Sequence, residues 1–94
     1  MTEIELKSGR KLVIAPLTVR QGRLMSELVD QGNVASAAVG ACVASLNNAK
    51  ADPAGPALTV DAFENEFTIP ETNELFKQVA EISELKVGES TASR

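Results

Sequence analysis

The stretch from Thr2 to Gln21, TEIELKSGRKLVIAPLTVRQ, constrains the fold of this chain more than any other. Ile4 and Leu6 alternate with Glu3, Glu5 and Lys7, Ser8-Gly9 interrupts the run, and Lys11-Leu12-Val13-Ile14 resumes it. That pattern predicts a β-hairpin over residues 2–15. Pro16 lacks the backbone N–H that a strand ladder needs and ends the second strand. Thr18, followed three residues later by Gln21, predicts a capping box and the start of a helix. An isolated hairpin is marginal in water, so these strands need helices over one face.

The rest of the chain supplies them. A first helix is expected over about residues 19–31, with Leu24 and Leu28, flanked by Val19 and Gln31, along one face and Met25 and Val29 beside them. Gly32 is suited to a left-handed helix end and Asn33 to capping the next helix. That second helix, about 34–48, is VASAAVGACVASLNN, in which Val34, Ala38, Ala41 and Ser45 share a row. Side chains this small suit either a central helix squeezed between neighbours or a surface for self-association. Ala49 to Ala57, with Pro53, Gly55 and Pro56, reads as an exposed, mobile loop.

Thr59 caps a short helix at about 60–66 that turns Phe63 inward. Thr68 and Glu71 form a second capping box for a last helix at about 70–85, with Pro70 in its first turn, where the missing N–H does no harm. Leu75, Phe76, Val79, Ile82 and Leu85 fall on one face of it, and Glu71, Glu74, Lys77, Gln78, Glu81 and Glu84 on the other. Residues 87–94 read as a flexible tail. The expected architecture is a single α+β domain over residues 1–86: an N-terminal β-hairpin followed by a bundle of three to four helices.

This inventory excludes most chemistry. The 94 residues contain no His, Trp or Tyr and a single Cys. Ser or Cys nucleophiles generally need a neighbouring base, usually His, and a zinc site needs several Cys or His ligands. Cys42 lies in an alanine-rich segment and reads as a small buried hydrophobe. No phosphate-cradling glycine motif or calcium loop is present. The carboxylate pairs Glu64 with Glu66 and Glu71 with Glu74 read as solvated charges. The chain is therefore read as a non-enzyme with no catalytic residue, metal or cofactor. Residues 1–15 lack a signal-peptide pattern, and Gln31–Ala49 carries too many polar residues to span a bilayer, so a cytosolic protein is expected.

Net charge −4 conceals a polarity. Residues 1–23 carry five cations against two anions, and residues 51–94 nine anions against three cations. The charges solvate two surfaces, or they steer head-to-tail association of like subunits or a partner of opposite sign. Nucleic acid is disfavoured as a partner, because an acidic chain without aromatic platforms is repelled by phosphate. Arg20 and Arg23, exposed and charged on the first helix, are the candidate partner-binding residues. A groove between the first and last helices offers a place for an amphipathic segment.

The order of these features resembles the tail assembly chaperones of long-tailed bacteriophages. IELKSGRKLVIAPLTVRQ at 4–21 is similar to their short apolar strand, Gly-containing turn and proline before the first helix, and LTVDAFENEFTIPETNELFKQVAEIS at 58–83 is similar to their second half. The resemblance covers most of the chain. It implies a non-enzymatic protein that binds the tape measure protein, keeps it soluble, helps recruit tail tube subunits and leaves before the tail matures. It also implies residence in the host cytoplasm; the charge polarity and alanine packing add an expectation of weak homo-oligomers, and the composition one of no nucleic-acid or membrane partner. The other readings of the same residues are a structural tail or neck protein kept in the virion, and a small bacterial protein-binding adaptor.

Overall fold

A computed structural model describes residues 1–50 and 55–84. Two antiparallel strands, β1 (Thr2–Glu5) and β2 (Lys11–Ile14), are followed by helices α1 (Val19–Asp30), α2 (Val34–Asn48), α3 (Val60–Glu66) and α4 (Ile69–Ile82). The expected hairpin-plus-bundle architecture is thus the observed one. Leu85 and the tail 87–94 lie outside the described residues, as do residues 51–54 of the expected loop.

The hairpin pairs Thr2 with Ile14, Glu3 with Val13, Ile4 with Leu12 and Glu5 with Lys11. Period-2 alternation turns Ile4, Leu12 and Ile14 to the core, and Leu6 follows them at the end of β1. The turn closes through Leu6 N–H donating to the Arg10 carbonyl and Gly9 N–H to that of Leu6, both at 2.8 Å. Gly9 takes φ +95°, a conformation that disfavours any side chain.

Both capping boxes form. Thr18 accepts from Gln21 N–H and Thr68 from Glu71 N–H, and each returning N3 side chain accepts from the cap's own N–H. Gly32 ends α1 at φ +84°. Asn33 stands at the N-cap of α2 but makes no side-chain capping bond, a correction to its expected role. Its ψ of 57° takes it out of the extended backbone of the three threonine caps. Helix α4 stops at Ile82, three residues short of expectation, and Glu84 reverses to φ 57°. Ser83 is held at this end because its hydroxyl accepts from Leu17 N–H at 2.9 Å.

Helix α2 is the hub: α1, α3, α4 and β2 all pack on it. Its Ala37, Ala41, Cys42, Val43 and Ser45 are buried against Leu6, Ile14, Met25, Phe63, Leu75 and Val79. Of the two readings left open for the small side chains, the central helix is the one observed. Ser45 makes the close approach of β2 specific. Its hydroxyl donates to the Ala15 carbonyl at 2.6 Å and accepts from Ala15 N–H at 3.1 Å, in a wholly buried position.

The face of α1 is rotated from the expected one. Met25 is buried with Leu28 and Val29 partly so, whereas Leu24 is 54% and Val19 79% exposed. Two pins fix that roll: the Thr18 cap, and Gln21, whose side chain exchanges hydrogen bonds with Asn48 of α2. Among the described residues no helix is long and apolar enough to cross a membrane.

Candidate interaction surfaces

The hairpin turn and the start of α4 use up part of the charge polarity within the molecule. Ser8 Oγ donates to Glu71 Oε2 at 2.6 Å, Arg10 Nε donates to the same oxygen at 3.3 Å, and Lys7 N–H points at both Glu74 oxygens at 3.2 Å. The Arg10 guanidinium also lies 4.2 Å over the Phe67 ring, which stacks on Phe63 at 4.3 Å. Glu71, placed by periodicity on the solvent face of α4, is instead 9% exposed. Its pKa is lowered to about 2, first by the Ser8 hydrogen bond, then by the Thr68 backbone bond and by Arg10, which together outweigh desolvation. The signal in the sequence was a capping Glu facing a basic turn some sixty residues earlier, and sequence spacing alone does not bring those together.

Arg20 and Arg23 are both exposed on α1, and among the described residues neither forms an ion pair. Neither lines the apolar groove of about 240 Å³ between α1 and α2, where Leu24, Met25 and Leu28 face Ala37, Gly40 and Ala41. The groove exists because α2 offers only methyls and a glycine there: a Cβ built on Gly40 meets nothing within 4 Å. The groove expected between the first and last helices is corrected by this arrangement, since α2 takes the packing surface of both.

A second apolar opening, of about 380 Å³, lies on the other side of α2. Ala35, Ala38 and Val39 form its floor, and Phe67, just beyond α3, and Ile69 of α4 close it. Ile69 is 77% exposed at the first position of α4, and Val34, one turn before Ala38, is 56% exposed. Sequence reading passed over both openings because it counts apolar side chains towards a core. Ile69, which lies outside the Leu75–Val79 row, was the available hint.

Cys42 is fully buried, and its pKa is raised to about 12 by desolvation, so it is a neutral thiol at physiological pH. Among the described residues no three His, Cys, Asp or Glu side chains are grouped to hold a metal ion. The described surface carries two apolar openings on opposite sides of one alanine-rich helix. Compared with family models, curated proteins and solved structures, the chain matches none significantly.

Proposed function

We propose that this protein is a tail assembly chaperone of a long-tailed bacteriophage: it binds the tape measure protein, keeps it soluble and helps recruit tail tube subunits. It acts in the host cytoplasm and is left out of the mature virion. The observation that carries the reading furthest is the opening between α2, α3 and α4, with Ile69 lining it and 77% exposed. Large exposed apolar side chains around a concave surface mark a place where another chain sits. A shallow groove floored by Ala35, Ala38 and Val39 suits the apolar stripe of a helix, read at i, i+3 or i+4, and i+7. A tape measure protein is a long helical chain that repeats such stripes, so many weakly bound copies of a small domain can cover it.

Co-expression is the test. With this chain present, the tape measure protein is expected in the soluble fraction and in a complex recovered through a tag on either partner. Ile69→Asp, which places a charge in the opening without touching the core, is expected to abolish recovery while leaving the circular dichroism unchanged. An insoluble tape measure protein with no complex would sink the reading. So would this chain turning up in purified virions, which is the outcome a structural tail or neck protein gives.

A further inference from the structure

The solvent edge of α1 carries four exposed charges in one helical row, Arg20, Arg23, Glu27 and Asp30. Their order opposes the helix dipole: cations stand at its positive N-terminal end and anions at its negative C-terminal end, and no acid in the first turn or base in the last offsets them. Within the helix, the Arg23–Glu27 pair also runs in the less favourable direction. The row is therefore poorly arranged for stabilising α1 on its own.

It is, however, symmetric about Met25: Arg20 and Asp30 lie five residues to either side, Arg23 and Glu27 two. A row with that symmetry and opposite signs at its ends is complementary to itself when reversed. We propose that α1 pairs antiparallel with α1 of a second copy across a two-fold axis at the level of Met25. Arg20 then faces the partner's Asp30, Arg23 faces the partner's Glu27, and the two exposed Leu24 side chains come together beside the axis. Such an isologous contact closes on itself and gives a dimer with no open chain.

The geometry is consistent along its length. Ten residues of helix span roughly 15 Å, short enough for two helices at the common crossing of about 20° to keep all four pairs in reach. The contact also places the two helix dipoles antiparallel and covers a leucine that the fold leaves 54% exposed. The row's arginines and carboxylates are thereby assigned to a second copy of this chain. This goes beyond the chaperone reading and does not rest on it, because no client takes part.

The test uses the whole chain in sedimentation velocity, with two charge-uniform variants, Arg20→Glu/Arg23→Glu and Glu27→Lys/Asp30→Lys. Wild type is expected to dimerise reversibly, and more weakly as salt rises from about 0.01 M to about 1 M, where the Debye length falls from about 30 Å to about 3 Å. Each variant alone is expected to dimerise at least about tenfold more weakly, and an equimolar mixture of the two to recover a dimer. Both variants improve the match between charge and helix dipole but bring like charges to positions 23 and 27, so circular dichroism is measured on each, and a helical signal equal to wild type assigns the loss to the contact and not to unfolding. A wild type that stays monomeric up to about 1 mM at low salt overturns the proposal. Variants that dimerise like wild type, or a mixture that fails to pair, overturn it as well.

Discussion

Two side chains that periodicity treated as ordinary hold the hairpin on the helices. Ser45 sat in a row of small residues, and nothing in its neighbours marks it as the partner of Ala15, thirty positions earlier. Replacing it by alanine leaves the Ala15 carbonyl without its 2.6 Å donor in a buried place. The expected loss is about 1–3 kcal/mol, read as a lower urea midpoint at unchanged slope. Glu71 is the second. Its folded pKa, about 2, lies below the ordinary glutamate value of 4.5, so its contribution is complete above pH 4.5 and is lost as pH falls towards 2. Thermal melts across that window should show wild type losing stability with acid. Glu71→Gln should start lower at neutral pH and lose less. A variant that tracks wild type down the whole series would mean that the carboxylate is not what fixes the turn.

At the scale of elements, alternation made the strands and three threonine caps set the starts of α1, α3 and α4, while the Asn33 cap signal did not form its bond. These signals act over three or four residues, so they survive without knowledge of the fold. The roll of α1 did not, because Leu24–Leu28 and Met25–Leu28–Val29 are equally good helical stripes, and the choice between them is made by Gln21 meeting Asn48. The two grooves were illegible for the same reason: a gap is a property of two helices, and α2 advertises only that it is small. Gly40 makes the point testable. Nothing lies within 4 Å of a Cβ there, and glycine disfavours a helix interior by about 0.8–1.0 kcal/mol relative to alanine. Gly40→Ala should therefore raise stability by roughly 0.5–1 kcal/mol while narrowing the α1–α2 groove. Chemical denaturation decides it, and a destabilised variant would show that α2 lies closer to its neighbours than described.

For the whole molecule the question is whether hairpin and helices are one cooperative unit. The core answers in chemical terms. Leu6, Ile14 and Ala15 come from the hairpin and are buried together with Met25, Ala41, Phe63 and Leu75. The turn is fixed to α4 through Ser8 and Arg10, and the end of β2 to α2 through Ser45. A helical bundle deprived of these strands keeps its caps and its amphipathic faces, but it loses the cover over α2 and exposes Ser45 and Leu75. Deleting residues 1–15 should therefore leave much of the helical far-ultraviolet signal. It should also abolish the sharp urea transition and make the remainder bind a hydrophobic dye, the behaviour of a compact state without fixed packing. The basis is that so small a domain keeps only a narrow surplus of burial over chain entropy. If the truncated chain instead unfolded in a single steep transition with no dye binding, the hairpin would be an appendage on a self-sufficient bundle. The bonds from Ser8, Arg10 and Ser45 would then position the strands without contributing to the core.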